Sequence, residues 1–360
     1  MSILAPFAHD GRGRVYVTAD GPEVYAYSGV DDSPLWKDFA DGIIVGLAIS
    51  GDHVVGVDSD GVLIRWRIFD GQRVDVTSTD VACLGIAADP YGGVALLTDF
   101  GVRVYGSGGH VVDAAVPRAN SVAKDTSGSR IVVTTEDGRL VWIDGTTGSV
   151  VGEVVVPAPA HMAAWSSQGS WVVGAADKLL VITADPSESP VVSMFAPGGP
   201  VEAVAVSADG WLLAARVGAT DVSLLTSSTG ETLATVGYNR PVGGVFFGSD
   251  TWLAIALEYA DVNRIELGAG RLTRNGPGLG RSSDPWATNL KLDAGRVRGA
   301  LARSRAGGAP VAMRVERQSP GTYESEVPGR PKWVLPAVIA VAVLMMCSCS
   351  SCCGIFAYLR

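Results

Sequence analysis

The sequence predicts an all-β fold, a β-propeller of four-stranded blades, followed by one C-terminal transmembrane α-helix. Three observations predict it. A glycine-bearing turn returns about every 40 residues, hairpin signals recur between short β-branched runs at the same period, and residues 333–359 carry no charge. Composition agrees. Hydrophobic residues at 47% supply a core, and 45 Gly with 19 Pro require many turns and argue against long helices.

The first turn of each unit holds Gly11, Gly51, Gly92, Gly128, Gly169 or Gly210, with Ser249-Asp250 at the seventh position. The spacings Gly11–Gly51–Gly92 are 40 and 41, and Gly128–Gly169–Gly210 are 41 and 41. A second turn runs in parallel through Asp20-Gly21, Asp60-Gly61, Gly101 and Asp137-Gly138. Asp-Gly between β-branched runs signals a hairpin, because glycine accepts positive φ without steric penalty. Each unit therefore reads as four short strands, a to d. The sixth shows it well: Val204–Ser207, Trp211–Ala215, Val222–Leu225 and Thr232–Thr235. Four strands per period of about 40 is the pattern of a propeller blade, and closing such blades into a ring protects sheet edges.

Seven clear units occupy residues 1–275. Residues 276–327 hold a weaker eighth, with Asn289–Leu292 as strand a, Val297–Leu301 as b, Val311–Arg314 as c and Tyr323–Glu326 as d. An unpaired copy would leave an open edge, so eight blades are expected. Seven blades with a basic connector over 276–327 is the alternative. A short basic linker follows at 328–332.

The uncharged run from Trp333 to Leu359 is long enough to span a bilayer with tilt, with Trp333 and Tyr358 at the two interfaces. Arg314, Arg317, Arg330 and Lys332 precede it, and only Arg360 follows. The positive-inside rule then places the ring in the cytoplasm and the C-terminus on the far side. The first ten residues lack the basic region and continuous apolar stretch of a secretory signal, which agrees. Cys83 is the only cysteine outside the run, as expected in a reducing compartment. Cys347, Cys349, Cys352 and Cys353 lie inside it. Small residues for close helix packing explain them, with acylation, a metal or an intermolecular disulfide as sharper alternatives.

Charge is segregated. Residues 1–270 hold 15 Lys/Arg and 32 Asp/Glu, residues 271–332 hold 12 and 5, and the whole chain is at −9. An acidic ring excludes general nucleic-acid binding. The basic stretch reads either as ordinary positive-inside bias or as a contact for anionic lipid.

Val24-Tyr-Ala-Tyr27 with Leu35-Trp36-Lys37, and Val141-Trp-Ile-Asp-Gly-Thr-Thr-Gly148, resemble the repeats of quinoprotein-like propellers (PQQ-type repeats). Val204–Gly210 resembles strand a and its turn in WD40-type repeats. The resemblance covers about 270 residues. The quinoprotein side implies an exported enzyme with a quinone cofactor and a vicinal cysteine pair beside it. The only such pair here, Cys352-Cys353, falls in the expected anchor. The WD40 side implies a rigid scaffold whose loops bind protein partners.

No P-loop, Gly-x-Ser-x-Gly or His-Glu-x-x-His motif occurs. His9, His53, His110 and His161 fall at different phases of different repeats, and the acidic turns at Asp58–Asp60 and Glu136-Asp137 read as hairpin chemistry rather than calcium loops. Trp171, Trp211 and Trp252 recur at spacings of 40 and 41 at the opening of strand b. They are either inter-blade packing or an aromatic ring for a partner. The expectation is a non-catalytic, membrane-anchored scaffold or sensor that binds a protein, with no cofactor and no metal. A propeller enzyme using the central channel and an exported propeller in envelope assembly are the alternatives.

Overall fold

The computed structural model describes residues 6–10, 14–31, 33–166, 169–183, 191–207, 209–249, 252–257, 262–267, 271–275, 287–292 and 294–305. The chain divides into two units, residues 1–314 and residues 315–360, and all the described residues belong to the first.

Seven antiparallel sheets follow one another in chain order. Blade one is β1 (Phe7–His9), β2 (Val15–Asp20), β3 (Glu23–Ser28) and β4 (Pro34–Phe39); blade two is β5 (Ile44–Ser50), β6 (His53–Asp58), β7 (Val62–Arg67) and β8 (Arg73–Ser78). Blade three is β9 (Cys83–Ala88), β10 (Val94–Thr98), β11 (Gly101–Tyr105) and β12 (Val111–Ala115); blade four is β13 (Ala119–Lys124), β14 (Arg130–Thr135), β15 (Arg139–Asp144) and β16 (Val150–Val155). Blade five is β17 (Ala160–Ser166), β18 (Ser170–Ala175), β19 (Lys178–Thr183) and β20 (Val191–Phe195); blade six is β21 (Val201–Val206), β22 (Leu212–Val217), β23 (Asp221–Thr226) and β24 (Thr232–Tyr238). Blade seven is β25 (Val242–Ser249), β26 (Trp252–Leu257), β27 (Val262–Glu266) and β28 (Arg271–Asn275).

The first strand of each blade lies beside the first strand of the next, and β25 lies beside β1, so the ring is closed. The second strands are largely apolar on both faces because blades cover them from either side; β6, β10 and β14 are buried almost throughout. The fourth strands β4, β8, β12 and β16 face outward, and β8 is exposed along its whole length.

The expected eighth blade does not form. Ala287–Leu292 is a strand, β29, but it pairs antiparallel with β24 and adds a fifth strand to blade six. The stretch expected as its partner strand, Val297–Leu301, lies in the helix α1 (Ala294–Arg305). Val297 and Ala300, one helical turn apart, are buried with Leu233 and Val236 of blade six. Helical spacing of the two apolar residues, with no β-branched neighbour other than Val297 itself, favours that outcome over a strand. The third and fourth strands expected for that blade lie outside the described residues.

The turns between third and fourth strands explain the Thr-Gly and Leu-Trp pieces of the repeat. Gly71, Gly148 and Gly230 have φ of +68°, +70° and +67°. A Cβ on Gly71 would stand 2.7 Å from the Trp36 ring and one on Gly148 3.2 Å from Val112, and one on Gly230 would run into the Phe195 ring. Each glycine thus seats the turn of one blade on an outer-strand side chain of the preceding blade. The Trp36 indole N–H also donates to the Ile68 carbonyl at 2.8 Å.

Arginine does further inter-blade work. Arg103 donates to the Thr79 carbonyl at 2.9 Å, Arg139 to the Pro117 carbonyl at 3.0 Å, and Arg264 to the Gly29 carbonyl at 2.9 Å. Arg103 meanwhile makes a two-pronged pair with Asp113 at 2.7 and 2.9 Å, a geometry lysine cannot supply.

Candidate functional site

In blades one, three and six the turn that joins the first to the second strand has one design. The residue after strand a folds its side chain over the turn amides. Asp10 accepts from the Arg14 N–H at 3.0 Å, Asp89 from the Tyr91 and Gly93 N–H groups at 2.7 and 3.1 Å, and the Ser207 hydroxyl from the Leu212 N–H at 2.9 Å. This is the local chemistry by which Asp and Ser stabilise turns.

The turns of this kind in blades one and three, with the Ser50–His53 turn of blade two between them, surround an open depression of about 470 Å³. Its lining comes from His9, Asp10 and Arg14 of blade one, Ile49, Gly51 and Asp52 of blade two, and Pro90 of blade three. Two large aromatic side chains flank it. Tyr91, next to Pro90, is 69% exposed, and Phe69 is 55% exposed with the Arg14 guanidinium 5.9 Å from its ring centre.

The rim is held from below. The Asp10 carboxylate, itself buried, binds the Arg14 Nε at 2.8 Å. Asp89 receives Lys124 Nζ of blade four at 2.7 Å, and the two side chains are 8% and 2% exposed. The Ser50 hydroxyl donates to the Asp89 carbonyl at 2.6 Å, tying blade two to blade three. His9 stacks on Phe246 at 5.2 Å between ring centroids. Burial pulls its pKa down to about 4, against the opposing influence of Asp10, so the ring is neutral at pH 7.

An apolar floor of Ile49 and Pro90, a fixed arginine and two protruding aromatics suit the capture of a peptide segment from another protein. His9 and Asp10 are engaged with Phe246 and Arg14 respectively.

Of the residues singled out in the sequence, Trp171 and Trp252 are buried between blades. Trp171 packs with Trp142 of blade four, and Trp252 with Tyr16 and Tyr27 of blade one. Trp211 precedes β22 and is half-buried. The histidines are dispersed: His9 borders the depression, His53 opens β6, His110 lies in the β11–β12 turn, and His161 lies in β17. Among the described residues no group of three or more His, Cys, Asp or Glu side chains is arranged to hold a metal. Asp58 accepts from the Asp60 and Val62 amides at 3.0 and 2.7 Å, which is hairpin chemistry. Cys83 is buried, and burial raises its pKa. Among the described residues no helix is long and apolar enough to cross a membrane. Arg330, Lys332, Cys347, Cys349, Cys352, Cys353 and the expected span at 333–359 lie outside them.

Sequence reasoning did not single out Phe69 and Tyr91. Their signal was an aromatic residue placed in a turn, in Ile68-Phe-Asp-Gly71 and Asp89-Pro-Tyr-Gly92, where packing between strands cannot use it.

The family model described as outer membrane protein assembly factor BamB matches residues 2–173. No curated protein matches the sequence. Among solved structures, the β-propeller domain of Myceliophteria thermophila Cps50 (Swd1) is similar, with a TM-score of 0.62 at 14% identity over 72% of this chain and 94% of that one. Saccharomyces cerevisiae Sqt1 is similar with a TM-score of 0.57 at 12% identity over 75% and 83%. These likenesses are of fold: a propeller assembled from quinoprotein-like and WD40-like repeats.

Proposed function

We propose that the chain is a non-catalytic scaffold or sensor, anchored in a membrane by residues 333–359, which holds a protein partner on the turn face of blades one to three. The depression between the Asp10, Asp52 and Pro90 turns, flanked by exposed Phe69 and Tyr91, carries the reading. Exposed aromatics beside a fixed arginine are the side chains that most often dominate protein interfaces. The uncharged run and its preceding basic residues support the anchor, with the ring on the cytoplasmic side.

A photoreactive residue in place of Tyr91 tests the partner site. It should yield one discrete cross-linked species in the native cells, and the same residue at exposed Val155 on blade four should not. Equal labelling from both positions, or none from position 91, would sink the proposal.

A second reading has one observation in its favour. The matching family model describes an outer membrane assembly factor, which would suit an exported propeller in envelope assembly. A reporter that works only in the cytoplasm, fused after Arg360, separates the two. Silence fits a cytoplasmic ring, whereas activity reverses the orientation and favours export.

A further inference from the structure

Blade six differs from the others in its rim. β29 covers its outer edge and α1 continues from that strand, burying Val297 and Ala300 against the blade. At about 100° per residue, the side of α1 opposite those two positions contains Gly295, Gly299 and Ala302. Gly295 and Ala302 are exposed and Gly299 is half-buried. Arg296 and Arg298 stand to either side of this small-residue ridge, both exposed. The helix contains no Asp or Glu, and β29 adds exposed Lys291. Arg296 is bound to Glu231 of blade six at 2.5 Å, which fixes one flank of the ridge to the ring while leaving the arginine 60% exposed.

The setting makes this surface distinctive. Residues 1–270 carry 15 basic and 32 acidic residues, so a cationic helix face is an exception on an acidic ring. It is also the last described element before residues 306–332, which lead to the uncharged run at Trp333. We propose that the outward face of α1 is a docking surface for an anionic lipid bilayer. The small ridge allows close approach, and Arg296 and Arg298 meet lipid phosphates on either side. Apolar insertion is not part of the contact, because the apolar residues Val297 and Ala300 are committed to blade six. The proposal rests on the membrane-anchored reading above and adds the face that the ring turns to the bilayer.

The test uses the full chain in lipid nanodiscs, with an environment-sensitive fluorescent residue in place of exposed Ala302. In nanodiscs containing phosphatidylglycerol the emission should shift to the blue. In phosphatidylcholine alone it should not, and 0.5 M salt should reverse the shift, at a Debye length of roughly 4 Å. Arg298→Glu should abolish the response and Arg298→Lys should retain most of it. Identical emission in both lipids, with the chain incorporated in both, overturns the docking surface and leaves the anchor standing. A chain that enters neither nanodisc overturns the anchored reading, and the docking surface with it.

Discussion

The rings of Phe7 and Phe246 stack with centroids 3.7 Å apart and planes inclined by 18°, joining the first strand of the propeller to the first strand of its last blade. No strand is exchanged between blades one and seven, each being built from contiguous sequence. Closure therefore depends on side chains: Phe7 and Phe246, the Tyr16, Tyr27 and Trp252 cluster, and Arg264 reaching the Gly29 carbonyl. Phe246→Ala should cost about 3–5 kcal/mol, since the residue is fully buried. A double-mutant cycle with Phe7→Ala should return a coupling of about 0.5–1.5 kcal/mol. Denaturant unfolding of the four proteins checks it; strict additivity would show that the stack does not hold the seam.

The seam should also sense acid through His9. Its folded-state pKa of about 4 lies below the ordinary 6.5, so the unfolded chain takes up a proton first as pH falls. Stability is complete above pH 6.5 and declines as pH falls from 6.5 to 4, by about 1–3 kcal/mol. His9→Phe should flatten this part of the profile. Thermal midpoints at pH 7.5, 5.5 and 4.5 measure it, and an unchanged slope in the variant would rule out His9 as the source.

The turn glycines can be ranked. Gly21 has φ +59° with nothing within 4 Å of where a methyl group would stand, so Gly21→Ala should cost only the backbone penalty, about 1–2 kcal/mol. Gly71→Ala and Gly230→Ala add clashes with Trp36 and Phe195 and should cost more. Gly148→Ala, whose methyl would meet Val112 at 3.2 Å, should fall between. Measured unfolding free energies in another order would show that these turns are not seated on the neighbouring blade.

Lys124 and Asp89 form a buried pair that also fixes the Tyr91 backbone. Lys124→Met or Asp89→Leu alone should each cost about 3–5 kcal/mol by leaving one buried charge uncompensated. The double replacement should cost clearly less than the sum. If the proposed partner binds beside Tyr91, Asp89→Leu should weaken it even where the ring remains folded, which binding measured below the unfolding midpoint would reveal.

The repeat was legible because each blade writes its own turns locally: the four strands expected in unit six return as β21 to β24, with ends shifted by up to three residues. The eighth unit was misread for a physical reason. Asn289-Leu-Lys-Leu292 does form a strand, but its partner β24 is chosen by a tertiary contact across 49 or more positions, and Val297–Leu301 is too short for periodicity to separate strand from helix. The depression was half-legible, because Asp10, Asp52 and Pro90 occupy the same turn in successive repeats. The meeting of Phe7 with Phe246, 239 positions apart, leaves no local trace.

Seven blades of nearly equal size give a ring that a partner could meet in seven rotational settings. The fifth strand on blade six removes that degeneracy. It marks one point on the circumference, much as a keyway marks a shaft. The azimuth of the depression, two to four blades round the closed ring from β29, is then set relative to whatever the marked rim touches.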